Sequence, residues 1–577
     1  MRWTFKPSPK EEEVQHLQNE LGPKVSPLVS ELLVQRGISD FEEAKRFFRP
    51  SLDALHDPFS MQDMQVAVER LDQALTQGER ILVYGDYDVD GTTAVALMYT
   101  FLLGFGAEVA TYIPDRYKEG YGLSMQGIDF AKDNGFTLII ALDCGIKALD
   151  QVKYAKEQGI DIIICDHHRP GDQLPEALAI LNPKRADCNY PYKELCGCGV
   201  GYKLTQAFTV HKGKAPQSTY PLLDLVATAI AADIVPVTGE NRILATFGLL
   251  QLNQSGRPGL IALLKNRKKE EYQLSDLVFS AAPRINAAGR MLHGSCAVDL
   301  LSSENPELVE QLANQIEELN QERRETERQT TEEALAFIEE KGLQETLSTV
   351  VFAENWHKGV IGIVASRLME HYYRPTVVFT LSGGKWVASA RSIPGFDLYH
   401  GLSACSAFIE QFGGHTFAAG LTVLPEKLEG FIARFEEVVR EQLGEGTQQP
   451  ELRIDKRVRL DELTPSFYQI LKQFAPFGPE NPAPLFYSEG LTDTGRSRLV
   501  GEDKSHLKAE LKQAEVVFGG IGFSLGDQLE AMKQAVDVVY ALNENQWKGR
   551  TNLQLEIKDL RPSGRASKVS EEPSKTA

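Results

Sequence analysis

Acidic and imidazole side chains recur at one kind of place in this chain. Asp86, Asp88 and Asp90 follow the apolar run Ile81-Leu82-Val83-Tyr84. Asp143 follows "TLIIAL", Asp166, His167 and His168 follow "IDIIIC", and Asp233 follows "LLDLVATAIAA". In an extended chain side chains alternate, so the three acids of "GDYDVDG" would share one face. Like charges held that close destabilise a fold or take up protons, so a positive partner is expected among them. Carboxylates with imidazole form a mixed hard and borderline donor set, which suits manganese or magnesium better than structural zinc. Two such ions about 4 Å apart clamp a phosphate and lower the pKa of a bound water, and that chemistry is phosphoester hydrolysis. Taken singly, "GDYDVDG" also reads as a calcium-loop fragment or a capped turn, and each histidine as a hydrogen-bonded core residue. Four acidic clusters at four successive strand ends are harder to explain in that way.

The elements that must position these groups are legible as a pattern. From Arg80 short apolar runs alternate with amphipathic ones, from "RILVYGD" and "TTAVALMYTFLLGFG" to "IDIIICDHH". That alternation predicts βαβ units and a parallel sheet covered by helices, with ligands at the carboxyl edge. Residues 1–70 read as small helices and 71–304 as the first α/β domain. Residues 305–345 read as one long helix, with Asn305 as its cap, Pro306 in its first turn and Gly342 at its end. Its polar middle suits a bridge between domains. A second α/β domain is expected over 346–445 and a small β-barrel, of which the OB-fold is one form, over 446–562. The polar tail 563–577 is expected to be disordered.

The chain has 577 residues, too many for one core. No run of about 18 apolar residues predicts a membrane span, and the start "MRWTFKPSPKEEEVQ" lacks the apolar core of a signal peptide. Seven scattered cysteines suit a reduced, cytoplasmic protein. Cys188, Cys196 and Cys198 lack a fourth partner at zinc spacing. Lys and Arg number 61 against 80 Asp and Glu, a net charge of −19. That argues against broad coating of nucleic acid but leaves room for a local basic groove.

The motifs "GDYDVDG", "DCG", "DHH" and "AADIVP", in this order, resemble those of the DHH phosphoesterase superfamily. The further stretches "DRYKEGYGLS", "PRINAAGRM", "WHKGVIGIVASRL", "SARSI", "FGGHTFAAG" and "PFGPENPAPLF" are similar to those of its RecJ family, over residues 30 to 560 or so. The resemblance implies a DHH-type parallel-sheet lobe, a DHH-associated α/β lobe beyond the long helix, and an OB-like barrel. It implies exonuclease action on single-stranded DNA from the 5′ end to mononucleotides, in repair and recombination, with two divalent cations, Mn2+ or Mg2+. It places Asp86, Asp88, Asp90, Asp143, His167 and Asp233 at metal positions, with Asp143 bridging and catalytic. His168 either joins the metal shell or touches the scissile phosphate. Not all three acids of the first motif need ligate directly. Arg116, Arg290, Ser389 and Arg391 would line the path to a terminal phosphate, which arginine grips bidentately. Tyr121 would stack on a base, and Gly414 and His415 would meet phosphate. Cys144 stands where the family often has Asn and brings a thiol to the site. Arg496, Arg498, Lys504, His506 and Lys508 form a basic patch on the barrel. A single-strand-binding protein, a repair helicase and a monomeric state are family-level expectations. The rival enzyme reading is a nano-RNase or cyclic dinucleotide phosphodiesterase, which would not need residues 451–562. The rival from another class is a non-catalytic single-strand-binding scaffold, which predicts eroded metal positions.

Overall fold

The computed structural model describes residues 1–577 except 266–268, 445, 447, 548–549, 565–569 and 572–577. Its first sheet is parallel throughout, in the order Glu108–Tyr112, Arg80–Gly85, Leu138–Leu142, Asp161–Cys165 and Ala179–Leu181. Alternation along the second of these strands divides two cores. Ile81 and Val83 join the cluster that holds Val95, Leu204 and Val226, while Leu82 and Tyr84 join Ile128 and Val152 on the other face. Burial on both faces is why the run is continuously apolar.

Register then places the chemistry. Gly85 pairs with Leu142, Leu142 with Cys165, and Cys165 with Leu181. The residues one step beyond this rung are Asp86, Asp143, Asp166 and Asn182. One row of backbone hydrogen bonds therefore sets the spacing of three carboxylates at the ligand-binding edge of the sheet.

The bridging helix runs Pro306–Glu340, roughly 50 Å at 1.5 Å per residue. The Asn305 side chain accepts from the Glu307 and Leu308 amides at 3.0 and 3.3 Å, and Gly342 takes a positive φ just past the end. The second lobe is a five-stranded sheet in the order Ile409–Gly414, Ala418–Val423, Lys385–Arg391, Thr376–Ser382 and Thr349–Ala353. The C-terminal sheet has seven strands, and the extra pairing of Thr492 with Lys512 curls it toward a barrel.

The ends of the chain depart from expectation. Residues 1–70 are not wholly helical: Arg2–Phe5 is a strand that pairs in parallel with Glu451–Ile454. The latter is expected within the barrel and instead extends a separate three-stranded sheet. Within the tail expected to be disordered, Ser570–Glu571 pairs with Thr4 and Phe5; the expectation for 565–569 and 572–577 lies outside the described residues. Leu17, Val29 and Leu33 of the N-terminal helices share one apolar cluster with Phe486, Leu507 and Tyr540 of the barrel. Sequence periodicity misses such pairings because the partners lie hundreds of residues apart.

Arg242 ties these parts to the first lobe. Its guanidinium donates to the carbonyls of Phe47 (3.1 Å), Phe474 (2.9 Å) and Ala475 (2.9 Å), and it lies over the Phe47 ring. These carbonyls include those just past the helix Pro465–Lys472, where the helix dipole favours a cation. Burial, then the nearby Arg36, pushes the Arg242 pKa down to about 10. The Val237 amide donates to the Pro479 carbonyl at 2.8 Å beside it. Arg242→Ala is expected to lower stability by about 3 kcal/mol, because it strands the buried Phe474 and Pro476 carbonyls and several part-buried ones. An unchanged thermal midpoint would show that this arginine does not hold the barrel to the lobe.

Candidate metal centre

Asp90, Asp143, Asp233 and His167 converge, and strand register sets Asp86 beside Asp143. His167 Nε2 lies 3.2 Å from Asp143 Oδ1, 3.5 Å from Asp233 Oδ2 and 3.9 Å from Asp90 Oδ2. Two triads, Asp143–His167–His168 and Asp90–His167–Asp233, each bring one donor atom per residue within 4.8 Å of the others. Asp86 Oδ2, Asp143 Oδ1, Asp233 Oδ2 and both His167 ring nitrogens are buried without a hydrogen-bond partner among the described residues. Buried polar atoms are normally satisfied, so a cluster of orphaned oxygen and nitrogen donors fits a hard divalent cation.

The way the chain delivers these groups corrects two expectations. The acids of "GDYDVDG" do not share the face of an extended strand. The strand ends at Gly85, Asp88 caps the helix Val89–Leu103 by accepting from the Gly91 amide at 3.0 Å, and Asp90 lies in that helix's first turn. Asp90 also accepts from the Gly197 and Cys198 amides, at 2.6 and 2.7 Å, at the start of the helix Gly197–His211. Two helix N-termini thus face one carboxylate. Asp233 follows no strand either; it ends the helix Leu223–Ala232. An apolar run alone does not separate a buried helix from a buried strand.

Backbone strain marks the same place. Asp143 has φ 57° and Ile234 φ 60°. A β-branched residue in the left-handed region is costly and persists where the surroundings hold it there. Gly197 allows a close approach: a Cβ there would lie 2.6 Å from Asp143 Oδ1.

The electrostatics follow from crowding. Burial, then Asp88, raises Asp90 to about 7; burial, then Asp90, raises Asp233 to about 9 and moves Asp143 well above the usual carboxylate range. Burial and then Asp88 also raise Asp86. Burial holds His167 neutral, down at about 3. Asp166 and His168 behave as a pair. Burial opposes both charges, but their 2.8 Å bond outweighs it, lowering Asp166 to about 2 and raising His168. Asp166 also accepts from the His167 amide, and Asn182 donates to the His168 carbonyl, so this turn is fixed on both sides. Burial pushes the Cys144 thiol up, which keeps it unreactive.

Beside the acidic cluster lies a set of cations, of which Arg116 acts on Asp86. Burial, then Arg116, Arg391 and Arg323, lowers Arg290 to about 10. Arg391 is lowered by burial and then Arg116, and Lys358 likewise. Arg116 lies over the Tyr87 ring at 4.7 Å. Arg290 donates to the Gly359 carbonyl at 3.0 Å, which joins the two lobes, and Arg391 donates to Ser366 Oγ at 3.2 Å. A Cβ on Gly362 would lie 3.1 Å from Arg391 Nη2 and 3.3 Å from Ser389 Oγ, so both side chains sit at the start of the helix Ile361–Tyr372. Arginines turned on one another rather than on carboxylates suit an anion.

The chain matches the DHH family N-terminal domain over residues 80–230, the DHHA1 domain over 345–441 and the RecJ OB domain over 454–559. It is 36% identical to the single-stranded-DNA-specific exonuclease RecJ of Salmonella typhimurium, covering 94% of this chain and 97% of that protein. The chain belongs to the RecJ family. The family resemblance read from the motifs is borne out. RecJ of Bacillus subtilis is 39% identical over 97% of this chain and 70% of its own length. A crystal structure of RecJ from Thermus thermophilus in complex with Mn2+ superposes with a TM-score of 0.83 at 28% identity, covering 97% of this chain and 79% of that one.

The remaining RecJ motifs take definite places. Tyr121 is 54% exposed, with its hydroxyl 3.3 Å from His168 Nε2 and 3.3 Å from the Asp143 carbonyl. His415 is exposed on the turn after Gly414, and its pKa is lowered by burial and then by His168, Lys147 and Arg169 of the other lobe. On the barrel, Arg498 pairs across strands with Lys508, and His506 packs against exposed Phe523 at 5.4 Å. Arg496 instead meets Glu510 at 3.5 Å. Sequence reasoning missed Tyr87, Gly197 and Lys358. "CGCGVG" held the signal for Gly197, since clustered glycines before a helix mark close backbone approach.

Above pH 7, His167 is neutral folded and unfolded, whereas Asp233, raised to about 9, holds a proton that a carboxylate near 3.9 has lost in the unfolded chain, and Asp86 and Asp143 are shifted in the same direction. The folded state then binds more protons, so the metal-free protein should lose stability as pH rises from 7 to 9. Saturating Mg2+ should raise the thermal midpoint more at pH 9 than at pH 7; an equal shift at both would contradict the assignment. Gly197→Ala should displace Asp143 and weaken Mn2+ binding by about 10–100-fold with circular dichroism unchanged. Unaltered Mn2+ affinity would refute that contact.

Proposed function

We infer that this chain is an exonuclease that degrades single-stranded DNA from its 5′ end; single-stranded-DNA-specific exonuclease is the name its RecJ relatives carry. The observation that carries the reading is a cluster of orphaned carboxylate and imidazole donors beside a group of arginines, with Arg116 acting on Asp86 and on Arg290. Asp86, Asp90, Asp143, His167 and Asp233 would hold two divalent cations, Mn2+ or Mg2+. Asp88 acts through its helix cap and its charge. When bound, such ions supply Lewis acidity toward a phosphodiester and lower the pKa of water.

The protein's own groups do the rest. Arg116, Arg290, Ser389 and Arg391 grip the 5′-terminal phosphate, which fixes the strand's polarity and register. Asp166 keeps His168 charged, and His168 Nε2 then donates toward a nonbridging oxygen of the scissile phosphate. Tyr121 offers its exposed ring to the terminal base. His415 and the turn at Gly414 contact the backbone from the second lobe. The basic face of the barrel, with Phe523, guides single strand inward. We place the phosphoesterase unit at 71–304, the connecting helix at 305–345, the substrate-binding lobe at 346–445 and the nucleic-acid-binding barrel at 446–562. The reading includes a cytoplasmic monomer working beside a helicase and a single-strand-binding protein. Among the described residues, no helix is long and apolar enough to cross a membrane.

Single-stranded DNA labelled at its 3′ end, with a dinucleotide alongside, tests the reading. Shortening from the 5′ end with Mn2+ should fall on the order of 10³-fold in Asp143→Ala. Cleavage of the dinucleotide alone would point to a small-nucleotide phosphodiesterase, and binding without cleavage to a scaffold.

A further inference from the structure

Behind the arginine cluster lies an open groove of about 880 Å3, floored by the bridging helix and walled by both lobes. That volume falls in the range of about 300–1,000 Å3 of small-ligand sites. The groove and the cluster share two helices. Ala282–Met291 carries Pro283 at the groove and Arg290 at the cluster, about 10 Å apart along the axis. Ile361–Tyr372 carries Arg367 at the groove, while Ser366, next to it, accepts from Arg391.

The chemistry of the lining suits a nucleotide. Five arginines line it against three glutamates. Glu327 takes Arg323 and Arg367, and Arg328 meets Glu325 and Glu332, which leaves Arg324 without a carboxylate partner among the described residues. Arg323 Nε is buried and has no hydrogen-bond partner among them. At the rim Phe279 is 68% exposed, an aromatic face beside these cations. An exposed ring next to arginine is the pairing that takes a base and its phosphate.

We propose that this groove is the exit subsite for the product, a nucleoside 5′-monophosphate. The proposal rests on the exonuclease reading above. When the enzyme cuts from the 5′ end, the released nucleotide lies on the terminal-phosphate side of the scissile bond. The remaining strand fills the other side, so the product leaves past the arginines rather than back along the DNA. The groove lies on that side, since Arg323 in its lining acts on Arg290. Its cations are mostly matched by glutamates, which suits a ligand that must be released.

Two measurements on the full chain test this. Titration with thymidine 5′-monophosphate in EDTA reports binding without cleavage. Phe279→Ala/Arg324→Glu, both on the surface, should weaken it about tenfold, the value of one base stack. The same variant should relieve product inhibition of DNA digestion and leave the first cut, in a single turnover, at the wild-type rate. Equal affinity in variant and wild type, or binding lost only in Arg391→Ala, would overturn the exit subsite. If the wild type cuts no single-stranded DNA, the exonuclease reading fails, while the EDTA titration still judges the groove.

Discussion

Three carboxylates around one neutral imidazole, with Asp86 at the next strand end, cannot all keep their charge in a buried site unless a cation joins them. Much of the first lobe exists to hold them in that unfavourable arrangement. The rung from Gly85 to Leu181 fixes Asp86, Asp143 and Asp166 in one row. Two helix N-termini support Asp90, and strained backbone at Asp143 and Ile234 aims the remaining oxygens inward. The core beneath is large and apolar on both sheet faces, and it offsets what the site costs. Repulsion and rigidity together make a preorganised centre whose affinity is reserved for divalent ions.

The same logic, with opposite sign, governs the facing wall. Burial, and then neighbouring cations that include Arg116, lowers both Arg290 and Arg391. Arg290 is held by Gly359 of the other lobe, while Arg391 is held by Ser366 within the second lobe, so the spacing of the two arginines depends on how the lobes meet. The bridging helix sets that meeting. Arg242 and the pairing of Arg2–Phe5 with Glu451–Ile454 then bring the barrel back onto the first lobe. Stability of the outer frame is therefore coupled to the spacing of the two charged walls.

The sequence made legible whatever is local or periodic. Alternating runs gave the parallel sheet, Asn305 and Gly342 bounded the long helix, and residue type alone proposed cations among Asp86, Asp143 and His167. Three things were not local. Whether an acid follows a strand or a helix depends on burial all round, so the pattern puts Asp233 on a strand end where the fold has a helix. Whether Asp88 and Asp90 continue an extended chain depends on where the helix nucleates, and the cap at Asp88 decides that. The sheet of Arg2–Phe5 and Glu451–Ile454 needs a contact across most of the chain, which no window of sequence contains.

Net charge illustrates the difference between a sum and a field. A chain of −19 looks unsuited to a polyanion. Yet the acids are spent on the metal centre, on ion pairs such as Arg70–Glu79 and Arg185–Asp63, and on the exposed face of the bridging helix. The arginines that matter are few, half-buried at one seam and outside any carboxylate ion pair among the described residues. At an ionic strength where the Debye length is about 10 Å, a strand inside the cleft responds to those few and hardly to the distant surface. An acidic exterior then disfavours DNA at large and leaves the basic side chains of the barrel and the arginine cluster as the places that attract it.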